Sequence, residues 1–154
     1  MIICPVDFNG HGGDNTEGKR GEKHMREIMA IDVILDECLE VEGQGGKACM
    51  ILFHGTCDCG LFHGRILPGG ADTQKEKSGE LRTLSARYIL EGTDAEGKAC
   101  RIFIENNGAV QKDGQITTKP LIYTDSKALA WLEQADLTGH VQPAEHGVRI
   151  GFEM

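Results

Sequence analysis

Residues 81–108 read LRTLSARYILEGTDAEGKACRIFIENNG. Leu84, Ala86, Tyr88 and Leu90 alternate with Ser85, Arg87, Ile89 and Glu91. That is the period-two pattern of a strand with one face turned to a core. Asp94-Ala-Glu-Gly97 supplies a turn, after which Ile102 and Ile104 alternate with Arg101 and Phe103. Asn107-Gly108 and, five residues on, Asp113-Gly114 are dipeptides of tight hairpin turns. Two amphipathic strands joined this closely pair antiparallel.

The same texture extends both ways. Upstream, Met29, Ile31, Val33 and Leu35 alternate with Ala30, Asp32, Ile34 and Asp36. A turn at 43–46 leads to the apolar run 47–56, and LFHGRIL over 61–67 closes on Pro68-Gly69-Gly70. Downstream, Val148, Ile150 and Phe152 alternate with Arg149, Gly151 and Glu153. Strands recurring every 10–15 residues or so, each with a turn signal, predict an all-β antiparallel sandwich or barrel. One helix is predicted over Ser126–Gln134, with Asp125 as N-cap and Ala128, Leu129, Trp131 and Leu132 on its apolar face.

The chain has 154 residues, enough for one hydrophobic core, and its 21 glycines follow no Gly-X-Y period. Residues 9–23 hold five glycines and almost nothing apolar, so 1–27 is read as a glycine-rich extension and 28–154 as a single β-barrel domain. Within the extension, Gly13 to Lys19 matches a phosphate-loop pattern in letters alone. Asp14 and Glu17 oppose an anion, and Arg20 stands where a magnesium-binding hydroxyl belongs. A net charge of −8 argues against nucleic acid or an acidic membrane surface as partner. The longest unbroken apolar run, 48–53, is too short to span a bilayer, and the N-terminus has no signal-peptide pattern. Six cysteines, at 4, 38, 49, 57, 59 and 100, fall short of a secreted disulfide scaffold. A cytoplasmic protein with reduced thiols is expected.

Gly55-Thr56, Gly60, Gly64-Arg-Ile-Leu-Pro-Gly-Gly-Ala-Asp72, Leu84-Ser-Ala-Arg-Tyr88 and Ala130-Trp-Leu132 stand in an order and spacing that resembles the family known as domain of unknown function 3237. The resemblance covers residues 28–154. It implies a closed or nearly closed antiparallel barrel of the lipocalin-like, calycin-type group, with one short helix near the C-terminus and no settled activity. The chain departs from the family pattern at Thr73, where an aromatic is usual, and at Cys57, where a bulky apolar residue is usual.

In a small barrel alternate side chains point inward, with room for one small ligand. Asp72 and Arg87 are the leading candidates: Arg87 to fork onto a ligand carboxylate or enolate, Asp72 to move a proton. The competing reading is a structural ion pair at the Pro-Gly-Gly turn. Tyr88 and Trp131, with Phe103 and Phe152, are either pocket walls or core, and Glu105 is a further inward-carboxylate candidate. His54, Cys57, Cys59 and His63 form H-x2-C-x-C-x3-H, residue types that zinc prefers. Strand parity puts His54 on the opposite face from Cys57, however, and a C-x2-C knuckle is absent. A redox role for the two cysteines is the remaining alternative. No nucleophile-elbow serine or local triad is present, and no cofactor is expected.

Two functions from different classes stand open. One is small-molecule binding in a barrel pocket, with or without simple acid–base chemistry. The other is a structural barrel acting through its surface as a homo-oligomer, and a zinc-stabilised barrel is a third reading.

Overall fold

A computed structural model describes residues 25–154. The 1–27 extension, its glycine-rich loop and the phosphate-loop-like letters therefore lie almost entirely outside the described residues. Among the described residues nine strands form one antiparallel sheet: β1 (Glu27–Gly43), β2 (Gly46–Asp58), β3 (Phe62–Ile66), β4 (Ala71–Lys77), β5 (Thr83–Asp94), β6 (Ala99–Val110), β7 (Ile116–Thr124), β8 (Thr138–Ala144) and β9 (Gly147–Glu153).

The pairing pattern closes the sheet on itself. β1 pairs with both β2 and β9, and the ladder runs on through β8, β7, β6 and β5. β3 and β4 share one position between β2 and β5: β3 takes the Thr56–Asp58 and Leu90–Asp94 ends, β4 the Gly46–Leu52 and Thr83–Arg87 ends. They are two halves of one stave, interrupted by Leu67-Pro-Gly-Gly70. Gly69 sits there at φ 107°, a conformation that costs other residues strain. The result is a barrel-like meander of eight staves, the number whose interior side chains just fill or which encloses one small ligand.

The expected inward faces are the ones buried. Met29, Ile31 and Val33 of β1, Leu84, Ala86, Tyr88 and Leu90 of β5, Ile102 and Ile104 of β6, and Ile150 and Phe152 of β9 all belong to a single core. Each large side chain buried there is worth about 1.5–3 kcal/mol.

Two local expectations need correction. Asn107-Gly108 is not a turn but lies inside β6, which runs on to Val110; the reversal comes at Asp113-Gly114. A Cβ at Gly108 would stand 2.5 Å from the Thr117 carbonyl oxygen, so this glycine serves close strand approach. The helix expected over Ser126–Gln134 shrinks to a single 3₁₀ turn, Ala130–Glu133. Asp125 does not cap it, since its carboxylate accepts the Arg101 N–H instead. The Ser126 hydroxyl is the acceptor for the Leu129 N–H and donates to Asp94, which ties this segment to the β5–β6 turn.

The two ends of the barrel differ. The β7–β8 connection drives Leu129, Leu132 and Leu137 into the core and floors one end. The other end carries the β1–β2, β4–β5, β6–β7 and β8–β9 turns. Leu35, Val110, Ile116, Val141 and Val148 are only partly buried there, forming an apolar mouth. Among the described residues no helix is long and apolar enough to cross a membrane.

Candidate functional site

Polar side chains enter the barrel wall on three staves. Asp72 and Gln74 on β4, Asn106 on β6 and Thr118 on β7 are all buried. In register, Asp72 stands beside Ala86 and Ala86 beside Asn106. Asp72 and Asn106 are thus two strand spacings apart, roughly 10 Å, with only a methyl group between them on the inner face. One step towards the mouth, Gln74 is level with Leu84, and Gly108 with Thr118. One step towards the floor lies Tyr88, its ring edge-on to Phe53 at 5.5 Å and 76°.

Gln74 donates from Nε2 to Asp72 Oδ2 at 2.9 Å, and its Oε1 accepts more loosely from Arg82 Nη1 at 3.4 Å. Arg82 in turn clasps Glu76 through Nε and Nη2. A polar chain therefore runs from the interior carboxylate to the rim. Other groups on this wall lack partners. The Tyr88 hydroxyl, the Thr118 hydroxyl and both amide atoms of Asn106 are buried without a hydrogen bond among the described residues. Burial pushes the Tyr88 phenol well above its ordinary range, so it remains a neutral donor.

The sequence-predicted residues divide between the two faces. Asp72 and Tyr88 lie inside. Arg87 is exposed on the outer face, where it neighbours Glu105 across the strand pair, so neither the facing Asp72–Arg87 pair nor the structural ion pair forms. Glu105 also points outward and accepts from Asn107 Nδ2; the inward group on β6 is Asn106. Trp131 is 40% exposed and does not wall the interior. It lines an external groove of about 610 Å³ at the floored end, together with Arg26, Asp58, Cys59 and Leu61.

The H-x2-C-x-C-x3-H residues do not converge. His54 Nδ1 pairs with Asp36 at 2.7 Å and His63 with Asp58, both on the exposed surface. Cys57 is buried and Cys59 half-buried. No group of three or more metal-ligating side chains occurs among the described residues. Cys49, Cys57, Cys59 and Cys100 are free thiols, whereas Cys38 is disulfide-bonded, a departure from the reduced set expected.

Asn106, Gln74, Thr118 and Arg82 were missed from sequence. Gln74 and Asn106 had a usable signal, since they share parity with Asp72 and with Ile102 and Ile104. Reading Asn-Asn-Gly as a turn concealed it for Asn106.

Comparisons with known proteins agree with this architecture. A UPF0311 protein of Clostridium acetobutylicum is 31% identical over 91 residues, 56% of this chain and 54% of that protein, so the match spans about half of the relative's length. A crystal structure of a protein with unknown function from Clostridium acetobutylicum superposes with a TM-score of 0.71 at 24% identity, covering 84% of this chain and 97% of the other. A β-barrel-like protein from Acinetobacter baumannii gives a TM-score of 0.63 at 18% identity, covering 88% and 98%. At these identities the structural matches speak for the fold alone. The family model for proteins of unknown function DUF3237 matches residues 24–152, and the chain belongs to that family.

Proposed function

We propose that this protein binds a small, uncharged organic molecule bearing carbonyl or hydroxyl groups, at the mouth of a lipocalin-like barrel. The observation that carries the reading is the set of buried, unpartnered polar atoms on Tyr88, Asn106 and Thr118. Leaving a buried donor or acceptor unmade costs about 1–3 kcal/mol each, a cost a fold does not collect on one wall without use. A ligand supplying the missing partners offsets it. Asn106 offers one acceptor and one donor, the two hydroxyls offer both, and Asp72 accepts. With the Asp72 carboxylate already on the inner face and the Arg82 guanidinium at the rim held by Glu76, the wall favours a neutral ligand over an acid. Leu35, Val110, Ile116 and Val141 would cover its apolar body. Among the described residues Asp72 is the inner carboxylate suited to proton transfer, so binding and acid–base chemistry separate there: Asp72→Asn would keep most of the affinity and remove turnover.

The test pairs stability with binding. Asn106→Leu replaces the amide by an apolar group of similar size and is expected to leave the fold intact, raise stability and abolish retention of copurifying small molecules. A variant that retains the same molecules as the parent would sink the proposal.

A second reading, a barrel acting as a homo-oligomer, is favoured by one feature. Ile89, Phe103 and Tyr123 lie level on the outer faces of β5, β6 and β7, with Leu121 beside them. The Phe103 and Tyr123 rings are 6.1 Å apart, and Tyr123 is 58% exposed. A second copy would cover this stripe. Light scattering of Tyr123→Glu against the parent decides it: an unchanged mass removes the stripe as an interface.

A further inference from the structure

Away from the mouth, at the floored end, β2 finishes in Cys57-Asp58-Cys59. The Cys57 and Cys59 Sγ atoms are 3.9 Å apart, within hydrogen-bonding contact. Strand parity puts both on one side, yet their surroundings differ. Cys57 is 1% exposed and packs in the core. Cys59 lies past the end of the strand, half-buried, on the wall of the external groove. Its N–H donates to the Phe62 carbonyl, holding the Cys59–Phe62 turn closed. Gly60, next in the turn, leaves open space where a side chain would stand. Neither the mouth site nor any other feature described above makes use of these two thiols.

We propose that Cys57 and Cys59 form a redox dithiol that reacts with low-molecular-weight disulfides entering the floored-end groove, Cys59 attacking and Cys57 resolving. In the first step the Cys59 thiolate attacks one sulfur of RSSR, a Cys59–S–S–R bond forms, and RS⁻ leaves. In the second, Cys57 gives up its proton, its sulfur attacks Cys59 Sγ, and the second RS⁻ leaves. The sum is RSSR plus two thiols giving Cys57–S–S–Cys59 plus two RSH, with the protein oxidised by two electrons and the small disulfide reduced.

The assignment of roles follows from position. Attack requires a thiolate with access to solvent, and of the pair only Cys59 opens on the groove, with the Cys57 thiol 3.9 Å away to donate to its anion. The Cys57 thiol foremost holds Cys59 down at about 6, while the hydrogen bond with Cys59 and then burial push Cys57 up. A disulfide across a C-x-C spacing is geometrically tight, so it is expected to be readily reduced again.

The full chain, reduced and freed of reductant, would be exposed to glutathione disulfide, quenched in acid, digested and mapped by mass. The expected product is a Cys57–Cys59 link lighter by two hydrogens, formed at least about tenfold faster than adducts at buried Cys49 or Cys100 and reversed by dithiothreitol. Cys57→Ser should stall with one glutathione on Cys59, and Cys59→Ser should leave Cys57 unmodified over the same time. Circular dichroism checks that both variants are folded. A stable adduct on wild-type Cys59 without closure, first modification at Cys57, or no reaction faster than at Cys49 and Cys100 would each overturn the proposal.

Discussion

Asn106 shows most clearly how one residue opposes stability to use. It is fully buried, its amide bonds to nothing among the described residues, and on either side of it along the inner face stand Ile104 and Gly108. Asn106→Leu should raise stability by about 1–3 kcal/mol, read as a shift of the urea midpoint at constant slope. Tyr88→Phe should be neutral or stabilising by about 1 kcal/mol, because the ring keeps its edge-on contact with Phe53 and only an unpartnered hydroxyl is lost. Destabilisation in both variants would mean that these groups have partners inside the chain. Cys59 offers a separate readout. With its thiol held at about 6, its alkylation by iodoacetamide should reach half its maximal rate near that pH, below the ordinary thiol range of about 8.5. A half-maximal rate at the ordinary value would show that the Cys57 thiol does not hold the thiolate.

Among the elements, the floor depends on a few polar contacts. Asp94 accepts from the Glu96 and Lys98 N–H groups and from the Ser126 hydroxyl, and the hydroxyl foremost holds its carboxyl below the usual range. A depressed carboxyl stabilises the fold above its unfolded pKa, and that contribution is lost as pH falls through the folded value. Asp94→Asn should therefore lower the melting temperature at neutral pH, and variant and parent should converge as pH drops below about 4. Leu129→Ala, which empties a fully buried floor position, should cost about 2–5 kcal/mol. Strand faces were legible in the sequence because period-two alternation fixes what points inward: Leu84 to Leu90 and Val148 to Phe152 lie as their spacing implies. The 3₁₀ segment was not legible, since the apolar spacing of Leu129 and Leu132 suits a helix face and a packed loop equally. Only the Ser126–Asp94 contact, 32 residues apart, separates the two. Nor could single-strand periodicity reveal that Leu67–Gly70 interrupts one stave, because both halves pair with the same two neighbours.

At the scale of the molecule, eight staves make a barrel with one end floored by leucines and the other ringed by partly buried apolar side chains and lined within by polar ones. Sequence reached the inner wall through Asp72 and Tyr88. It failed at Arg87 and Glu105, because adjacent strands must be brought into register before parity assigns a face, and in that register Ala86 and Asn106 take the inward places. The central claim is that the inner wall is built for a ligand. Native mass spectrometry of tag-free protein, before and after denaturation, tests it most directly. A mass excess in the folded protein that vanishes on denaturation, and is absent from folded Asn106→Leu, is the expected result. A clean apo mass for the parent, together with no melting-temperature response to a panel of neutral carbonyl and hydroxyl compounds, would contradict it.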